Sequence, residues 1–103
     1  MIVITEKNFS VEVEQSEKLC IIDLYADWCA PCRMIARTIE ELEKENPDIK
    51  FCKINVDEEE NLARAFGVSS IPMVAAVKNN TFIDASVGLV PKSALQKLID
   101  ENR

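Results

Sequence analysis

Apolar positions fall into two kinds of run along this chain. Leu19-Cys20-Ile21-Ile22-Asp23-Leu24-Tyr25 is almost continuously apolar and β-prone, the pattern of a central strand covered on both faces. Residues 49–56, with Phe51, Ile54 and Val56, read as a second central strand, and residues 73–77 as a third. Between the first two, Met34, Ile35, Ile39 and Leu42 recur at helical spacing, while Arg37, Glu40, Glu41 and Lys44 occupy the complementary face. That helix is expected over about residues 32–45, with Pro31 in its first turn and Asn46-Pro47-Asp48 ending it. Ahead of these, Ile2-Val3-Ile4 is a short β-prone start. A helical stretch over residues 8–15 follows, with Phe9, Val11 and Val13 as its apolar members and Thr5, Asn8 or Ser10 as its cap.

The second half continues the alternation. Asp57 is expected to cap a helix whose first turn holds Glu58, Glu59 and Glu60, where the helix dipole favours them. The acidic run lacks the glycine and spaced ligands of a calcium loop. Leu62, Ala65 and Phe66 line that helix and Gly67 closes it. Asn79-Asn80 forms a two-residue turn, since Asn tolerates positive φ, and residues 81–87 return as an antiparallel partner. Pro91 starts the last helix at its first position, with Leu95, Leu98 and Ile99 facing inward. The order β-α-β-α-β-α-β-β-α predicts an α/β fold: one mixed sheet with helices on both faces.

Composition narrows the function. A chain of 103 residues makes one domain, residues 1–103, with a core that needs no staples. No apolar run approaches the ~18 residues of a membrane span, and the N-terminus lacks a basic segment followed by an apolar block, so a cytoplasmic protein is expected. A net charge of −6 argues against a surface that tracks nucleic-acid phosphates. The absence of histidine excludes Ser-His and Cys-His catalysis and imidazole metal ligands. Two glycines exclude a Gly-rich phosphate cradle. Four cysteines in a reducing compartment are not a disulfide framework.

The chemistry therefore concentrates on Trp28-Cys29-Ala30-Pro31-Cys32, at a strand-to-helix junction. Unpaired backbone N–H groups and the helix dipole at Cys29 favour the thiolate, the form that attacks disulfides. Cys32, one turn further on, can resolve a mixed disulfide from within the same chain. Trp28 and Pro31 flank and shield the pair. The competing reading, a zinc site, would have to recruit Cys20 and Cys52 from inside apolar strands, where buried core cysteines are expected instead. Asp23 interrupts an apolar strand, so burial should raise its pKa, and Lys53 is the one basic residue within a strand that could partner it. The functional reading makes Asp23 a proton acceptor and donor for Cys32; the alternative is an accident of register that puts it on an exposed face. Ile71-Pro72 stands at the entrance of a strand, where a cis bond would reconcile proline with the strand that follows; a trans proline that merely starts the strand is the alternative.

Asp23, Trp28-Cys29-Ala30-Pro31-Cys32, Lys53, Ile71-Pro72 and Gly88 together resemble the thioredoxin family along the whole chain. The resemblance implies a five-stranded mixed sheet flanked by four helices and a protein-disulfide reductase serving cell redox homeostasis. It implies Cys29 as nucleophile, Cys32 as resolving thiol, and Asp23 as buried acid/base with Lys53 nearby. It also implies a cis Pro72 facing the disulfide, with the Ile71 backbone pairing to substrate. Trp28, Ala30, Pro31, Ile71, Pro72 and Gly88 would form the client-docking rim. No bound cofactor or metal is implied beyond a Cys29–Cys32 redox disulfide. The implied partners are a thioredoxin reductase and disulfide-containing client proteins, for a chain expected to be monomeric, without membrane or nucleic acid. Ala30 stands where glycine is commonest and stiffens the turn. Tyr25 replaces Trp or Phe, and Ser70 and Asn80 replace glycines. Arg37 replaces a kinking proline, which predicts a straighter helix. The alternative function is a non-catalytic binding or regulatory subunit using the apolar rim. An oxidant or isomerase role usually brings histidine into the cysteine pair and an export signal, and the sequence shows neither.

Overall fold

In the computed structural model, which describes residues 1–103, Cys20–Tyr25 (β2) lies at the centre of a five-stranded sheet of order β1-β3-β2-β4-β5. β1 (Ile2–Val3) and β3 (Lys50–Asn55) run parallel to β2's direction, and β4 (Met73–Lys78) and β5 (Thr81–Val87) complete the sheet in antiparallel fashion. The helical elements are a π-helical turn at Ser10–Glu14, α1 (Ala30–Glu45), α2 (Glu60–Ala65) and α3 (Lys92–Asn102). The mixed sheet with four helical elements matches the architecture read from the alternation of runs.

Strand alternation divides the core. Ile21 and Phe51 face α1 and α3, packing with Ile35, Ile39, Leu42, Leu95, Leu98 and Ile99. Cys20, Ile22, Leu24, Cys52 and Ile54 face the other way, against Val13 and Phe66. Asp23 and Lys53 are register partners on the α1 face, so the carboxyl stands in line with core side chains. Cys20 and Cys52 are free and buried, as expected of core cysteines. The neighbouring Cys20 sulfur and burial both push the Cys52 thiol up, so it stays protonated.

Several local expectations are corrected. α1 begins at Ala30, two residues early, because the Cys29 sulfur accepts from the Cys32 backbone N–H at 3.2 Å and so caps the helix itself. It continues unbroken through Arg37 to Glu45. Asp57 caps nothing. The Asn55 side-chain oxygen takes the N–H groups of Asp57 (3.0 Å) and Glu58 (3.3 Å), forming a turn that delays α2 to Glu60. Val11 and Ala65 point to solvent, since a π-helical turn and a two-turn helix each bury only a narrow stripe. Pro91 is the N-cap residue of α3 rather than its first helical residue. None of Thr5, Asn8 and Ser10 is the N-cap of the first helical element, which is Phe9 without a side-chain cap; Thr5 instead closes the turn ahead of it, its hydroxyl accepting from Lys7 N–H while Asn8 accepts from Thr5 N–H. Asn79 and Asn80 take φ of 51° and 60°, and Gly67 takes 66°, as the turn reading required.

Candidate functional site

β2 ends at Tyr25, and the chain reaches Cys29 through Ala26-Asp27-Trp28. The Cys29 N–H donates to Ala26 O and its carbonyl accepts from Arg33 N–H, which fixes the loop at both ends. Cys29 and Cys32 are disulfide-bonded with Cα atoms 5.2 Å apart. Both are buried and pack with Ala26, with Tyr25, Val56 and Ile71 at the margin. Trp28 beside them is 71% exposed, as are Ala30 and Pro31 in kind, so an open apolar rim surrounds a closed sulfur pair. Across it, the Ile71–Pro72 peptide bond is cis, Ile71 is half-buried against the cysteines, and Pro72 O accepts from Gly88 N–H at 2.8 Å. Gly88 has φ +89°, a conformation that disfavours a side chain, and the exposed Leu89 follows it.

Beneath the disulfide lies a cavity of about 170 Å³ that Cys32, Asp23, Tyr25, Arg33 and Lys53 share with their neighbours. Asp23 is 2% exposed and its Oδ1 has no hydrogen-bond partner. Burial pushes its pKa up to about 7, and Lys53 opposes that rise. Lys53 forms no ion pair with it. The ammonium sits 5.9 Å from the centroid of the Tyr25 ring, so its influence on Asp23 is electrostatic only. A carboxyl with a pKa near neutrality, in the same cavity as Cys32, is suited to accept and return a proton at physiological pH.

Two contributors escaped sequence reading. Trp28 Nε1 donates to Asp57 Oδ2 at 2.9 Å, so the acidic run anchors the indole instead of capping a helix. Asn55, 8% exposed, holds the turn bearing Asp57 and donates to Asp27 Oδ2 at 3.5 Å. A polar residue ending an apolar strand beside the cysteine loop was the available signal. Asn55→Ala leaves the Asp57 N–H without its acceptor, while the Glu58 N–H keeps the Asn55 carbonyl, and is expected to cost about 1 kcal/mol, read from the urea midpoint at constant m.

A capped, disulfide-forming cysteine pair at a helix N-terminus, next to a neutral-range carboxyl on a mixed sheet, defines a thiol–disulfide oxidoreductase. The thioredoxin family model matches residues 1–101. A thioredoxin of Bacillus subtilis is 42% identical over 99 residues, covering 95% of this chain and 93% of that protein. One from Chlorobaculum thiosulfatiphilum is 40% identical over 100 residues, covering 95% and 92%. A chloroplastic M5 thioredoxin of rice is 42% identical over 102 residues, where the match spans 98% of this chain but 59% of the rice protein. Among solved structures, a Plasmodium falciparum thioredoxin superposes with a TM-score of 0.91 at 32% identity, covering both chains fully. The chain belongs to the thioredoxin family, and its activity is protein-disulfide reduction.

Proposed function

We propose that this chain works as a single, monomeric cytoplasmic domain that passes reducing equivalents from a thioredoxin reductase to client disulfides. Cys29 attacks one client sulfur, forming a mixed disulfide and releasing the other as a thiolate that takes up a proton. Asp23 accepts the Cys32 proton, and the Cys32 sulfur displaces the second client thiol, leaving the Cys29–Cys32 disulfide. Lys53 moderates Asp23. Trp28, Ala30, Pro31, Ile71, Pro72 and Gly88 supply the docking rim, with the Ile71 backbone pairing to the client strand. The observation that carries this assignment is the asymmetry of the pair: the Cys29 sulfur accepts the Cys32 N–H at the head of α1, while Cys32 shares the cavity of Asp23. No group of three metal-ligating side chains competes for the cysteines.

The reduction potential of the Cys29–Cys32 pair tests the direction of transfer. Equilibration with glutathione or dithiothreitol buffers is expected to give a strongly reducing value, in the range of thioredoxin's about −270 mV. A value near that of a strong oxidant, about −120 mV, removes the reductase assignment.

A further inference from the structure

Tyr25 stands two residues after Asp23 on the same face of β2, and Lys53 is the register partner of Asp23 on β3. The lysine therefore had two destinations, the carboxyl beside it or the ring one pleat further along. Its ammonium lies over the ring, 5.9 Å from the centroid, and Asp23 Oδ1 is left without a hydrogen bond. The strand direction, the register and the half-buried ring together fix the cation at the wall of the cavity. We propose that Tyr25 is a positioning residue for the proton step, its ring holding the Lys53 ammonium close enough to Asp23 to act on the carboxyl through the cavity but too far to form an ion pair. This rests on reading Asp23 as the partner of Cys32 in proton exchange.

The physical basis is a balance. An ammonium in contact would hold Asp23 ionised at neutral pH, and one released to solvent would leave the carboxyl protonated by burial alone. Held at intermediate distance, it offsets part of the burial effect. The aromatic face supplies the holding attraction without donating to or accepting from the carboxyl. Other charges border the same space. Arg33 on α1 is occupied by Asp27 O at 2.8 Å. Glu40 of α1 and Asp27 line the cavity as well, and the Met1 amino group is turned to Glu43 at 3.1 Å. Burial, then Asp27 and then Glu58, from the turn after β3, act on Tyr25 itself. Among all of these, Lys53 is the charge that acts on Asp23.

The test is a 13C titration of the Asp23 carboxyl in the oxidised protein, where the disulfide sulfurs do not titrate and no histidine is present. Tyr25→Leu, or Tyr25→Met as a second variant of similar apolar bulk, is expected to raise the midpoint by about half a pH unit or more as the ammonium moves off. Tyr25→Phe keeps the ring and is expected to leave the midpoint where it is. In a Lys53→Met background, Tyr25→Leu is expected to produce no rise. An unchanged or lowered midpoint in both Leu and Met variants overturns the proposal, as does a rise that persists without Lys53. The titration reads the carboxyl and not turnover. A finding that Asp23→Asn reduces clients at the normal rate would overturn the proton role separately, whatever the midpoints show.

Discussion

Cys29→Ser is expected to lower the rate of insulin reduction with dithiothreitol as donor by about three orders of magnitude or more, to the uncatalysed background. The serine hydroxyl ionises far too weakly to attack a disulfide, and no other sulfur can take its place. Cys32 sits one turn inside α1, turned to the cavity of Asp23, and Cys20 and Cys52 lie on the opposite face of the sheet. Cys32→Ser should fail differently. The hydrogen bond that caps α1 comes from the backbone N–H of residue 32, which serine retains, so the Cys29 thiolate keeps its stabilising donor. That variant should attack and then stall, accumulating a mixed disulfide visible as a mass adduct that dithiothreitol removes. Wild-type turnover by Cys29→Ser would remove the cysteine-pair mechanism altogether, and trapping by Cys29→Ser instead of Cys32→Ser would reverse the two roles.

The second large effect is on stability. Asp23 titrates at about 7 in the fold against an ordinary 3.8, so the folded chain binds that proton more tightly than the unfolded chain does. Its contribution is fully present below pH ~4, falls as pH rises between 3.8 and about 7, and is level beyond. The loss across that window is on the order of 4 kcal/mol, since each pH unit of difference corresponds to about 1.36 kcal/mol. Asp23→Asn has no charge to bury and should remove the slope, leaving the oxidised variant more stable than wild type at pH 8. Urea unfolding of both proteins at pH 5 and pH 8 checks this. Equal slopes would mean that the carboxyl reaches solvent.

How far the sequence foretold these results depends on the range of the forces involved. β2 and α1 were readable because long apolar runs and helical spacing report burial against a whole layer. The Asn79-Asn80 turn and Gly67 were readable because backbone sterics act locally. Asp57 misled because the Asn55 side chain, two residues earlier, takes the N–H groups of Asp57 and Glu58 while its carbonyl takes that of Glu59, so the chain turns before a helix can start at Asp57. The burial of Asp23 followed from its apolar company, but the course of Lys53 did not. Two partners were within its reach, and only the placement of the Tyr25 ring decides between them. Trp28 and Asp57 are 29 residues apart, and their hydrogen bond exists because β3 runs parallel to β2 and brings both strand ends to one edge.

The alternation of β2 and β3 has a bookkeeping consequence for the redox cycle. Four sulfurs could in principle store two pairs of electrons, and a carrier of mixed capacity would release uncertain amounts to each client. The sheet prevents this by acting as a partition. One pair of sulfurs lies just beneath the open rim at Trp28, and the other is enclosed among Ile22, Leu24 and Ile54, where exchange needs contact that the closed fold denies. Each visit to a client therefore delivers one fixed quantum of reduction, set by which way the side chains of two strands happen to point.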